Sequence, residues 1–200
     1  MLYNHKHIMK HILLINGHPD KESFNHALAA SYKKGALETD ATIEEITITD
    51  LNFNPNLKFG YRKRTELEPD LQEALSKIKQ ADHIVWVFPV WWAGYPAMMK
   101  GFIDRTFLPG ITFQPVKGKP FPEKLLKGKT SRLIITSDTP GWYDYLFMKR
   151  PAIRQFKKGT LEFCGITPVK TTFLSVIKSS TPEQRNKWLE KTYTLGKNLQ

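Results

Sequence analysis

The run His83-Ile84-Val85-Trp86-Val87 restricts the fold more than any other stretch of the chain. It is short, apolar and rich in β-branched residues, so it reads as a strand buried within a sheet. Behind it, Ala97 to Phe107 has few helix breakers and carries apolar residues at helical spacing. Between strand and helix lies Phe88-Pro89-Val90-Trp91-Trp92-Ala93-Gly94-Tyr95-Pro96, a loop of prolines and large aromatics. Open α/β sheets bind ligands just past the carboxyl ends of their strands, and aromatics in that position suit a flat, conjugated ligand. The same residues equally fit a hydrophobic interface or an aromatic mini-core.

The rest of the chain repeats the strand–loop–helix pattern. Lys10 to Ile15 is a first strand; Asn16 to His26 is a polar turn, and a helix follows to about Glu38. Thr42 to Ile48 alternates polar and apolar residues and reads as a second strand. Asp50 to Glu68 is an irregular polar and basic connection, and Asp70 to Gln80 is an amphipathic helix leading into the central run. Leu108 to Gly128, rich in Pro, Gly and Lys, is an excursion without regular structure. Ser131 to Thr136 is a fourth strand, opening into the loop Ser137 to Tyr145, with a helix to about Phe163. Ile166 to Val176 is a fifth strand, and Pro182 to Leu199 a closing helix capped by Thr181 or Ser180.

Strands alternating with helices imply a parallel sheet with helices on both faces. Five strands predict the flavodoxin-like doubly wound order 2-1-3-4-5, in which the loops after strands one, three and four meet on one edge. The first loop suits an anion. Backbone N–H groups point out of a helix N-terminus, Ser23 can donate a hydroxyl, His18 a ring N–H and Asn25 an amide. The simpler reading makes Ser23 an N-cap and His18 a solvated loop residue. The loop matches neither the dinucleotide fingerprint nor an ATP-type P-loop. With an aromatic second loop and a mixed third, the convergence describes a flavin mononucleotide: phosphate on the first, ring between the others.

Composition bounds this reading. The 200 residues, 40% hydrophobic and 24% charged, suit one soluble domain over residues 10–200, with 1–9 a tail and Met9 an alternative start. No apolar run is long enough for a membrane span. The lone Cys164 excludes an internal disulfide and fits the cytoplasm. His5, His7 and His11 lack the partners of a specific metal site. The net charge of +11 is scattered and falls in no nucleic-acid-binding motif; attraction for phosphorylated cofactors accounts for it more simply.

Three blocks, Gly17-His18-Pro19 with Ser23-Phe24-Asn25, then Phe88 to Trp92 with Pro96 to Arg105, and Leu161 to Gly165, carry a resemblance over nearly the whole chain from Lys10. The sequence resembles the flavodoxin-like NAD(P)H:quinone oxidoreductases, the DT-diaphorase type and its bacterial relatives. The resemblance implies bound FMN or FAD, reduced by NADPH or NADH and reoxidised by a quinone-like acceptor. It also implies a homodimer with the active site at the subunit interface. His18, Ser23, Phe24 and Asn25 then correspond to the flavin phosphate loop; Pro89, Val90, Trp91 and Trp92 line the isoalloxazine. Thr136, Ser137, Asp138 and Thr139 place backbone donors around the ring, and Tyr143 matches a tyrosine whose hydroxyl steadies developing charge. Two departures stand out. The animal enzymes carry a histidine shortly after that tyrosine, whereas Asp144 to Lys157 has none; their Thr-Thr-Gly-Gly is here Thr136-Ser137-Asp138-Thr139. One shared pocket for donor and acceptor predicts ping-pong kinetics. The alternative implied by some bacterial relatives is an ancillary flavoprotein regulating a potassium-efflux transporter. A one-electron flavodoxin carrier fits poorly, because such carriers are acidic and this chain is basic.

Overall fold

The computed structural model describes residues 9–200; the expected tail and its histidines at 5 and 7 lie outside them, apart from the exposed Met9. The elements run β1 (His11–Asn16), α1 (Phe24–Ala36), β2 (Thr42–Thr47), α2 (Pro69–Gln80), β3 (His83–Pro89) and α3 (Ala97–Thr106). They continue with β4 (Phe113–Gln114), β5 (Glu123–Lys124), β6 (Thr130–Ser137), α4 (Gly141–Leu146), α5 (Pro151–Phe156), α6 (Glu162–Cys164), β7 (Val169–Ser175) and α7 (Pro182–Lys197). The main sheet is parallel with spatial order β2-β1-β3-β6-β7, which is 2-1-3-4-5 when only its five strands are numbered.

Alternation along each strand sorts the core onto two faces. Leu13 and Ile15 of β1, Trp86 and Phe88 of β3, and Leu133 and Ile135 of β6 face α2, α3 and α5. Trp86 packs edge-on against Phe102 and Phe156 there, with ring centroids 6.4 and 4.8 Å away. Ile12, Leu14, Val85, Val87 and Ile134 face α1 and α7 instead. Helices α1 and α7 approach closely: a Cβ at Gly196 would sit 2.0 Å from the Tyr32 carbonyl oxygen, and one at Gly35 would sit 2.1 Å from that of Tyr193. No larger residue fits either position.

The structure departs from the sequence expectations in three places. The excursion from Leu108 to Gly128 contains the small antiparallel β4–β5 pair. The single helix expected up to Phe163 is broken into α4, α5, a wide π-turn at Lys157–Leu161, and α6. Pro151, which has no N–H to continue a helix, starts α5 after left-handed Lys149 and Arg150. The loop after β6 is shorter than expected, because Gly141 already begins α4. Thr181 caps α7 as expected, its Oγ1 accepting from the Gln184 N–H at 3.3 Å.

Candidate cofactor site

The loops after β1, β3 and β6 meet over the carboxyl edge of the sheet around a cavity of about 410 Å3. His18 and Ser23 come from the first loop and Phe24 and Asn25 from the first turn of α1; Pro89 ends β3, with Val90 and Trp91 just past it, and Thr136 and Ser137 end β6, with Asp138 and Thr139 following. Pairing draws the ends of β3 and β6 together: Pro89 is in register with Thr136, and the Val90 N–H donates to the Thr136 carbonyl at 2.8 Å. Ile177, in the turn after β7, completes the lining. Sequence reasoning missed it because a lone aliphatic residue after a strand carries no signal.

Two polar groups in this cavity are left wanting an acceptor. Ser23 occupies the N-cap of α1 in an extended conformation, yet its side chain makes no capping bond. Its Oγ is buried without a partner among the described residues. Asn25 is buried too; its Oδ1 accepts from Thr136 Oγ1 at 2.9 Å, which leaves Nδ2 as an unpartnered donor. The first turn of α1 has no acidic residue to answer its dipole, and of its N–H groups that of His26 already donates to the Ser23 carbonyl at 3.0 Å. Each buried unsatisfied donor costs about 1–3 kcal/mol. Such a set fits a group that is anionic and accepts several hydrogen bonds, as a phosphate does.

His18 is arranged as a neutral donor. Burial lowers its pKa, helped by His26 and opposed by Asp20. Its Nδ1 accepts the Asp20 N–H at 3.0 Å, which puts the ring proton on Nε2. Trp91 meets the His18 ring edge-on at 5.5 Å. Asp138 is exposed, and its Oδ1 accepts the Lys178 N–H at 2.6 Å, tying the third loop to the turn after β7. Ser137 Oγ accepts the Thr139 N–H at 3.0 Å within the same loop.

Two residues singled out from the sequence stand outside the lining. Trp92 is fully exposed at 102% and forms, with Ala93, a tight turn closed by reciprocal 2.9 Å bonds between Trp91 and Gly94. Both turn residues are left-handed, at φ 49° and 60°. Tyr143 lies on α4, 44% exposed, stacked on Phe147 at 5.2 Å with Trp142 edge-on at 5.8 Å. Its neighbour Asp144 is buried, which raises the carboxyl pKa against the opposing pull of Arg150.

A parallel 2-1-3-4-5 sheet with a donor-lined, aromatic-flanked cavity at its carboxyl edge defines the flavodoxin-like class. The Flavodoxin_2 family, described as having a flavodoxin-like fold, matches residues 10–194, and the chain belongs to it. It is 28% identical over 163 residues to an uncharacterized NAD(P)H oxidoreductase of Haemophilus influenzae, covering 79% of this chain and 80% of that one. It is 25% identical over 219 residues to the ribosyldihydronicotinamide dehydrogenase [quinone] of Rattus norvegicus, covering 94% and 93%. The crystal structure of a Streptococcus mutans UA159 protein superposes with a TM-score of 0.84 at 30% identity, covering 94% of this chain and 99% of that one.

Proposed function

We propose that this chain is a flavin-dependent NAD(P)H dehydrogenase acting on a quinone or similar acceptor. The observation that carries the reading is the pair of buried, unpartnered donors, Ser23 Oγ and Asn25 Nδ2, at the open N-terminus of α1. They suit the single phosphate of FMN, with His18 Nε2 as a further donor; FAD is the larger alternative. Bound there, a flavin supplies reversible hydride transfer between a reduced nicotinamide and the acceptor. The names of the Haemophilus and Rattus relatives support a nicotinamide donor, and that of the Rattus relative a quinone acceptor.

The chain's own residues position and electrostatically bias this site. Pro89, Val90 and Trp91 provide its apolar wall, and Thr136 to Thr139 wrap its far side. Tyr143 carries a hydroxyl on the exposed helix that follows the third loop; we assign it the steadying of charge on the bound acceptor. Trp91, Trp92, Trp142 and Phe147 are all exposed, close in the chain to the lining. Aromatics so placed favour a homodimer whose second copy closes the mouth of the site. One mouth for donor and acceptor gives ping-pong kinetics, and the chain's basic balance favours NADPH. Buried, free Cys164 fits a reducing compartment, and the reading places the protein in the cytoplasm. Among the described residues no helix is long and apolar enough to cross a membrane.

The test is an absorbance spectrum of the purified protein, followed by release and identification of bound flavin. Yellow protein yielding FMN is expected. Protein that stays colourless after incubation with FMN and FAD overturns the reading.

A further inference from the structure

On the other side of the loop that carries His18 lies a larger groove of about 550 Å3, which shares no lining residue with the cofactor cavity. Its origin is the placement of α1, which packs on α7 and over β1 and β3. The edge strand β2 is thereby left partly uncovered on this face. Leu14 and Asn16 of β1, with their register partners Glu45 and Thr47 of β2, contribute to the floor. His26, Ala30 and Lys33, about one helical turn apart on α1, contribute to the wall.

Three features give the groove a chemistry. Asn16 is only 4% exposed, and its Oδ1 accepts the His18 N–H at 2.9 Å. That bond fixes the amide, and Nδ2 is left as a buried donor without a partner among the described residues. The lining itself holds two lysines and two carboxylates; counting Lys197, which reaches Glu38 from outside it, three lysines face two carboxylates. Lys33 pairs with Glu45 at 2.6 Å and Glu38 with Lys197 at 3.3 Å, whereas Lys34 makes no close ion pair among the described residues and acts on Glu38 only at longer range. The rest of the lining is mostly apolar, with Leu14, Ala29, Ala30, Leu37 and Ile46 beside His26 and Thr47. A mostly apolar concavity with one fixed donor and a single surplus positive charge matches a monoanion with a hydrocarbon body.

We propose that this groove binds a small organic monocarboxylate, its carboxylate accepting from Asn16 Nδ2 and its hydrocarbon body lying over Leu14, Ala29 and Ala30. The site communicates with the cofactor loop through two contacts. Asn16 Oδ1 holds the His18 N–H, and His26 Nε2 lies 3.3 Å from the His18 carbonyl oxygen. A carboxylate bonded to Asn16 stiffens that loop and so tightens cofactor binding, and by linkage the cofactor tightens the carboxylate. Only this coupling rests on the flavin reading; the groove's own binding does not.

The experiment is a titration of the isotopically labelled full chain with sodium benzoate and sodium octanoate, read by amide NMR, with sodium chloride at equal ionic strength as control. Saturable shifts are expected at the Asn16 side-chain amide, Ala30 and Thr47, and chloride does not reproduce them. Asn16→Asp keeps the acceptor for the His18 N–H but removes the donor, and weakens benzoate about tenfold or more. Lys34→Glu, at an exposed position that leaves the fold alone, weakens it about threefold or more. Shifts that do not saturate, shifts confined to His18 and Ser23, or equal affinity in both variants and the parent overturn the proposal. A colourless protein that still binds benzoate at Asn16 would sink the flavin reading and leave the groove standing.

Discussion

Ser23→Ala separates a helix cap from a cofactor ligand, because the two roles predict opposite signs. An N-cap serine replaced by alanine ordinarily costs about 0.5–2 kcal/mol of stability. Here that loss has no source, since the Ser23 side chain makes no capping bond. Its buried Oγ instead has no partner, and removing an unsatisfied hydroxyl relieves a penalty of about 1 kcal/mol. The flavin-free variant therefore melts at the same temperature as the parent or about 2–4 °C higher, as expected for a chain of this size. With flavin the sign reverses. A hydrogen bond to a charged phosphate is worth about 1.5–3 kcal/mol, so the dissociation constant for FMN rises about 10- to 150-fold. Titration of flavin-free protein by FMN fluorescence quenching gives the second number, and thermal melts of the same samples give the first. Adding His18→Ala weakens FMN further. A lower melting temperature with unchanged FMN affinity would refute the reasoning and return Ser23 to the role of a cap.

Gly196→Ala drives a methyl group into the Tyr32 carbonyl and should cost about 3 kcal/mol, seen as a melting temperature lower by roughly 6–12 °C. Glu68→Gln strips the counter-charge from Arg105, which is 1% exposed and held by Glu68 at 2.8 Å together with the Asn54 and Glu66 carbonyls; denaturant unfolding should show a loss of about 3 kcal/mol. Burial pushes the Glu68 carboxyl up, but Arg105 and the Asn54 N–H outweigh it and hold the pKa below its usual value. The pair's stabilisation is therefore complete above the ordinary glutamate range near ~4.3 and disappears as pH falls through the folded value, a slope Glu68→Gln lacks. Burial, with Lys10, Arg132 and Lys170 nearby, lowers the His83 pKa from 6.5 to about 3. Only the unfolded chain takes up that proton between the two values, so about 5 kcal/mol is lost on acidification across this range, and His83→Gln should flatten the loss.

The sheet was legible because its strands are coded by their own residues. Buried runs such as His83–Val87 and Ser131–Thr136 need no distant information, and their alternation with helices leaves one topology. That the loops after strands one, three and four meet on one edge followed from that topology, whereas Pro89 and Thr136 were singled out as site residues only through the family resemblance. What escaped depends on contacts between residues far apart in sequence. Nothing local at Gly196 announces the Tyr32 carbonyl, and nothing in Asp138 announces the Lys178 N–H. The β4–β5 pair is two residues long on each side, too short for any periodicity to reveal. The break between α4 and α5 turns on two left-handed residues ahead of Pro151, where side-chain pattern suggested one continuous helix.

Some of the places where local rules fail lie at or beside the cavity. Ser23 stands at an N-cap and does not cap. Trp92 and Ala93 adopt left-handed conformations that favour glycine or asparagine, at a cost of about 1–3 kcal/mol each. The turn they build projects an indole wholly into solvent, next to Trp91 on the cavity wall. Neither strain nor exposure stabilises the isolated chain. A folded core that tolerates both, while Ser23 Oγ and Asn25 Nδ2 go unpartnered a loop away, has been shaped for contacts it does not make by itself. Replacing Trp92-Ala93 with Asn-Gly isolates that cost. The flavin-free protein should gain about 2 kcal/mol, since the new residues take the same turn without strain. Turnover should fall if the indole serves the acceptor or the second copy. A variant that is more stable and fully active would show the strain to be incidental, and would remove the aromatic arm from the site.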